Sequence, residues 1–200
     1  GVAVEAGRLP LNLVAGNLYD TRADGIVASY GKDVKVTGFY AKPTNQGKVL
    51  ADTPKVDKIE VEYDNVYGAK VDAKFGVVAA TAGYTVFQDA ALNGYEYVND
   101  KAKLVESVDL DDNKIWNVGV AFDVAKNLNL SANYMKSSEK YVTDDDDAIV
   151  VGLSYAGAKA AKAGSFGIYA NYYDQARSTV VAHTMNVEYG THGFKGYMVG

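Results

Sequence analysis

The side chains able to do acid–base, nucleophilic or metal chemistry are few and scattered. His183 and His192 are the only histidines, and cysteine is absent. The chain therefore has no disulfide, thiol nucleophile or zinc–thiolate site. Neither histidine has a nucleophile beside it or a carboxylate at metal-ligand spacing. His192 sits in a turn-like Gly190–Gly193 stretch, where a solvated role is expected. His183 falls near a strand end, in phase with an apolar face. There is no G-x-S-x-G, phosphate loop or H-E-x-x-H, so neither catalysis nor a cofactor is expected. The densest charge run is Asp144, Asp145, Asp146 and Asp147. Carboxylates suit Ca²⁺ or Mg²⁺, but consecutive residues of an extended chain point opposite ways and cannot all face one ion. A solvated loop tip is the expected role, with a metal site a weak alternative. The remaining charges suggest a field rather than a reaction. Glu5, Lys35, Lys70, Asp72 and Lys74 occupy the polar positions of alternating segments, Arg8 closes one, and Asp20, Arg22 and Asp24 follow it. Opposed acids and bases of this kind orient water and dipolar solutes at a narrow passage.

The elements that must position these charges are strands. Period-two alternation recurs along the chain. Residues 114–123 set Trp116, Val118, Val120 and Phe122 against Asn117, Gly119, Ala121 and Asp123. Residues 128–136, 148–156, 165–173 and 180–189 repeat the pattern, as does 67–75 earlier. Segments 2–8, 24–30, 34–42, 77–87 and 194–200 do so with less contrast. About eleven strands are expected and no helix. Sixteen Tyr and twenty Gly against three Pro suit long strands that expose aromatic surface. A 48% hydrophobic and 22% charged composition is that of an ordered chain. No apolar run is long enough for a transmembrane helix. A net charge of −5 and a pI near 5.0 argue against nucleic acid as a partner. The chain begins and ends in strand-like alternation, so it is expected to be a piece of a longer protein.

Short connections (31–33, near 75–76, 124–127, 157–164, 190–193) alternate with long ones (9–23, 43–66, 88–113, 137–147), with 174–179 intermediate. This is the habit of an outer-membrane barrel, with short turns on one side and long loops on the other. Aromatic residues gather at both strand ends in phase with the apolar face. Tyr30, Phe75, Phe122, Tyr155, Phe166, Tyr189 and Phe194 lie at the lower ends. Tyr40, Tyr67, Tyr84, Trp116, Tyr134 and Tyr172 lie at the upper ends. The opposite face, rich in Gly, Ala, Ser, Thr and Asn, suits an aqueous lumen better than a soluble surface. The expectation is an all-β transmembrane antiparallel up-and-down barrel, with a soluble β-rich module as the lesser reading. Pro43–Val66 is expected to hold a small hairpin, since Ile59, Val61 and Tyr63 alternate with Glu60 and Glu62.

The stretch Gly7-Arg8-Leu9-Pro10, followed by Leu18-Tyr19-Asp20-Thr21-Arg22-Ala23-Asp24-Gly25-Ile26, resembles the third loop and flanking strands of general-diffusion porins. The wording looks most like the porin domain of the S-layer-homology (SLH) outer-membrane proteins of diderm Firmicutes. Val124-Ala125-Lys126-Asn127-Leu128-Asn129-Leu130 is similar to periplasmic turns of such barrels. The resemblance implies a sixteen-stranded barrel in the bacterial outer membrane, usually a homotrimer, of which residues 1–200 are a part. It implies contact with outer-membrane lipid and lipopolysaccharide, and a cell-wall tether through an SLH module that this sequence does not contain. It further implies that Leu9–Ala23 is a loop folded into the pore. That loop would carry Asp20, Arg22 and Asp24 toward basic wall residues such as Arg8, Lys35 and Lys70. The function expected is passive diffusion of small hydrophilic solutes and ions. The alternative is a structural anchor or adhesin barrel without significant transport.

Overall fold

The computed structural model describes residues 1–44, 48–49, 58–99, 101–140, 144–158, 161, 163–181 and 193–200. Ten strands form one antiparallel sheet. They are β1 (Val2–Leu13), β2 (Tyr19–Gly31), β3 (Val34–Pro43), β6 (Asn65–Phe75), β7 (Val78–Gln88), β10 (Asn113–Ala125), β11 (Leu128–Ser137), β12 (Asp147–Ala156), β13 (Gly167–Gln175) and β14 (Phe194–Val199). They pair in that order, each with the next in the chain, apart from two insertions of two strands each. The two insertions form a second sheet together, in the order β4 (Lys48–Val49), β5 (Lys58–Glu62), β8 (Ala91–Val98) and β9 (Lys101–Asp109).

The second sheet extends the first. β5, β8 and β9 run in the same order as β6, β7 and β10, to which the chain joins them end to end. Asp89, in the left-handed region at φ 52°, breaks β7 from β8. Its amide donates to the Asp112 carboxylate at 3.0 Å, and the Leu110 amide donates to the Ala90 carbonyl at 2.7 Å. Pairing thus carries across the joint. Pro43–Val66 does hold a paired β4–β5 hairpin, but Gln88–Asn113 is a strand pair where a loop was expected. Its Asn93 and Tyr95 both donate to the Glu62 carboxylate of β5, so polar residues that read as loop belong to a sheet.

The two faces of the main sheet differ in chemistry. In β10, Ile115, Asn117 and Gly119 are buried, while Trp116, Val118, Val120 and Phe122 are exposed. In β12, Ala148, Val150 and Gly152 are buried against exposed Ile149, Val151 and Leu153. The exposed face is the apolar one, the inverse of a soluble sheet. Val120 is 42% and Leu153 44% exposed. Rings meet along this face at both ends: Trp116 with Tyr134 at 5.3 Å, Tyr172 with Tyr197 at 5.1 Å, and Tyr155 with Phe166 at 6.4 Å.

The sheet is curled. The Asn17 carbonyl, beyond the end of β1, accepts from the Gln175 side chain of β13 at 3.2 Å. The Leu18 carbonyl accepts from the Val181 amide at 2.9 Å. Seven strand spacings separate β2 from β13, about 34 Å if the sheet were flat. From Gly25 to Leu18 the hairpin reaches only about 23 Å. Both contacts therefore require a trough, with the β1–β2 hairpin lying across its concave side. β1 and β14 are its open edges, and no barrel closes among the described residues.

Two sequence expectations are corrected here. Leu9–Ala23 is not a loop, because only residues 14–18 lie outside strands. Its alternating acids and bases are one face of a strand pair. β14 pairs directly with β13, and Phe194, expected at a lower strand end, lies opposite Gln175 at the upper end beside Tyr173. Residues 182–192, which hold most of the expected strand 180–189 together with His183, Tyr189 and His192, lie outside the described residues.

Gly7 and Gly25 face each other in the register where the hairpin leaves the sheet. Gly7 has φ 114°, and a Cβ on Gly25 would lie 2.3 Å from the Tyr40 carbonyl oxygen. Gly25→Ala is expected to cost about 1–3 kcal/mol, because backbone must move. Gly157→Ala, where a Cβ would meet nothing within 4 Å and φ is not left-handed, should cost less. Denaturant unfolding followed by Trp116 fluorescence compares them, and equal costs would count against the close β2–β3 approach.

Candidate functional site

The site is built on the hairpin's two faces. Leu9, Leu11 and Leu13 of β1 and Tyr19 and Ala23 of β2 are buried. Leu11, Leu13, Leu18, Tyr19 and Ala23 share one core with Phe39, Ala41, Phe87, Ile115, Met135 and Tyr173 of the inner wall. Tyr19 and Phe87 rings lie 6.3 Å apart. Each fully buried Leu contributes about 1.5–3 kcal/mol, enough to hold a hairpin that has no strand partner above Ala23. The other face carries Arg8, Asn12, Asp20, Arg22 and Asp24, aligned because Arg8 pairs with Asp24, Pro10 with Arg22 and Asn12 with Asp20.

Arg8 and Asp24 form a two-pronged ion pair at 2.8 Å for each bond. The Asn12 amide donates to Asp20 at 2.9 Å. The tip is a tight left-handed turn: Val14, Ala15 and Gly16 have φ 55°, 53° and 86°. A left-handed L-residue costs about 1–2 kcal/mol. The turn is held by amide bonds from Gly16 and Leu18 to the Leu13 carbonyl and from Asn17 to Val14. The Asn17 side chain caps Val14 again at 2.9 Å.

The wall charges lie under this tip. Ala15 shares a cavity of about 350 Å³ with Lys32, Asp33, Lys35, Asp72 and Lys74. Asn12, Leu13, Val14 and Ala15 share a second, of about 260 Å³, with Lys70, Asp72, Asn117 and Asn133. Lys70 and Asp72 pair at 3.2 Å on one strand. Eight of the nine charges singled out from sequence, all but Glu5, thus form two groups. Lys35, Lys70, Asp72 and Lys74 line the cavities beneath the tip. Arg8, Asp20, Arg22 and Asp24 share the hairpin's polar face. Arg8 is a hairpin residue rather than a wall residue, since β1 runs unbroken through it.

A second segment closes the upper end of the trough. Arg177–Thr179 form a 3-10 turn whose residues are buried. Asn113, fully buried, donates to the Ser178 carbonyl at 2.8 Å and accepts from Ser137 at 2.7 Å. Asp144–Asp147 do not converge: Asp146 pairs with Lys136 at 2.7 Å, and Asp147 begins β12. The Lys136 hydrogen bond holds the Asp146 carboxyl below the usual carboxylate range. Among the described residues no group of three or more acids, histidines or cysteines could hold a metal.

Sequence reasoning passed over three asparagines on the inner face. Asn117 lies opposite Gly83, Asn133 opposite Gly119 and Asn171 opposite Gly152. The available signal was Asn on the polar phase of one strand with Gly on the polar phase of its neighbour. It is invisible until register is known. No protein-family model matches the chain, and no curated protein matches it.

Leu13→Ala is expected to cost about 2–5 kcal/mol and to loosen the tip. Cleavage by a nonspecific protease within residues 14–17 should rise with it. Unchanged cleavage would mean that the apolar face does not hold the hairpin down.

Proposed function

We propose that this chain is part of an outer-membrane β-barrel of the general-diffusion porin type, passing small hydrophilic solutes and ions down their gradients. The observation that carries the reading is the inverted sheet. Its exposed face is apolar and fringed with aromatic rings, while its concave face holds Lys, Asp, Asn, Thr and Gly. Soluble monomers rarely expose a contiguous apolar surface of this extent, whereas a lipid-facing barrel wall requires it. Most of the ten strands have 9–13 residues, the length that crosses a bilayer at a tilt of about 45°. In this reading β1 and β14 take further strands on their free edges, to the sixteen that the family resemblance implies. The barrel then contacts outer-membrane lipid and lipopolysaccharide and assembles as a homotrimer, and any cell-wall tether resides in another module.

The hairpin is the constriction. Its polar face and the charges under its tip bear on the same passage, where low-dielectric walls concentrate the field. A second reading, an anchor or adhesin barrel, draws on the β8–β9 sheet, whose Tyr97, Val98, Leu104, Val105 and Val108 are exposed. Conductance in planar bilayers separates the two: stepwise channels favour the porin, and a silent barrel the anchor.

Val120→Arg and Leu130→Arg put a charge on the lipid-facing phase. Each should destabilise the inserted protein by about 2–4 kcal/mol near the midplane, read from unfolding in lipid. Neutral results at both sites would overturn the assignment of faces. Asp20→Asn with Asp24→Asn removes two negative charges from the hairpin, so the reversal potential under a salt gradient should move toward anions. Deleting Leu11–Leu18 should raise single-channel conductance. If neither quantity changed, the hairpin would not be the constriction.

A further inference from the structure

The three inner-face asparagines repeat one arrangement. Each lies over a glycine of the preceding strand in the sheet, and a Cβ on that glycine would strike the carboxamide. The distance to the Asn Oδ1 would be 2.6 Å from Gly83 to Asn117, 2.3 Å from Gly119 to Asn133 and 2.7 Å from Gly152 to Asn171. The glycines are thus cradles in which the carboxamides rest against the wall. The register makes the three step diagonally down the trough. Asn117 is opposite Met135, two residues from Asn133, while Asn171 is opposite Gly152, which pairs with Ser131, two residues further.

The first two carboxamides are unspent. Asn117 is only 7% exposed, yet neither it nor Asn133 makes a side-chain hydrogen bond among the described residues. A carboxamide offers two donors and an acceptor, and those of Asn117 and Asn133 are open to the cavity rather than sealed in the wall. Both line the cavity of about 260 Å³ under the hairpin tip, with Asn12 on the opposite side. The charges sharing that cavity, Lys70 and Asp72, offset each other at 3.2 Å. What remains there is neutral hydrogen-bonding capacity, mixed in donors and acceptors.

We infer that Asn117 and Asn133 form a binding subsite for a neutral polyhydroxylated solute, of the sugar or polyol class, beneath the hairpin tip. A hydroxyl both donates and accepts, so it matches a carboxamide. Diagonal neighbours across a strand pair stand about 7–8 Å apart, a gap that a sugar ring can bridge with a hydroxyl toward each amide. A small anion would find acceptors as well as donors here and the Asp72 carboxylate close by. Asn171, whose amide already donates to the Tyr173 hydroxyl at 3.0 Å, continues the track toward the next strand. The inference rests on the porin reading for its purpose, but not for its test.

The test is equilibrium binding of sucrose to the detergent-solubilised chain by saturation-transfer NMR, with succinate as the charged comparison, alongside bilayer recordings. Wild type is expected to bind sucrose in preference to succinate. Asn117→Ala with Asn133→Ala should weaken sucrose binding at least about tenfold, for two lost hydrogen bonds, with the far-UV spectrum preserved. Should that pair fail to fold, Gly119→Ala, which pushes Asn133 out of its cradle, is expected to give the same loss. Wild type that does not bind sucrose, prefers succinate, or keeps its affinity in the folded variants would overturn the subsite. Sucrose binding without any conductance would instead leave the subsite standing and remove the porin reading. Conductance without sucrose binding would do the reverse.

Discussion

The fold depends on one contact surface, the apolar face of the β1–β2 hairpin against the upper inner wall. Leu11, Leu13, Leu18 and Tyr19 fill the space between Phe39, Phe87, Ile115 and Tyr173. Strand pairing alone dictates a sheet but not its curvature. The hairpin acts as a chord: its tip bonds to Gln175 and Val181 near the far edge, so the distance across the trough is set by the hairpin's length. Because the packing is at the upper end, the lower part of the concave face stays open, and the cavities with their charged and amide lining are found under the tip.

The same contact explains why the polar residues fall where they do. Alternation gives the hairpin two faces, and seating the leucines on the wall turns Arg8, Asn12, Asp20, Arg22 and Asp24 to the other side together. The Gly7–Gly25 pair makes the departure possible, since one residue needs a left-handed φ and the other admits no Cβ beside β3. Glycine has a different use lower down. There it is the floor under Asn117, Asn133 and Asn171, where a side chain would lift the amides from the wall.

The outer sheet follows from continued pairing. β6, β7 and β10 do not stop at the top of the trough. They break at Tyr63–Asp64, Asp89–Ala90 and Leu110–Asp112 and resume in the same order as β5, β8 and β9. A bend absorbed by Asp89 is enough to redirect the sheet while its ladder persists, and Val61 and Tyr63 tie it to the common core.

The sequence by itself determined the strands and the chemistry of their faces. Side-chain period two is a local property, so Trp116–Phe122, Leu128–Tyr134 and Ile149–Tyr155 were legible as strands with an apolar side, and that side is the exposed one. It also located the acids and bases of the candidate site by type. Only the tertiary structure decided which polar stretches are loops. Asp20–Asp24 and Leu92–Val108 look like connections when read alone, but opposite a partner strand they complete a ladder, and pairing energy outweighs their weak local preference. Register likewise made the Asn–Gly cradles, which join residues 14 to 34 positions apart, and hairpin packing brought Asn12 to the same cavity as Asn117. Those arrangements depend on which strand lies beside which, and on a curl imposed by a contact spanning 158 residues of chain.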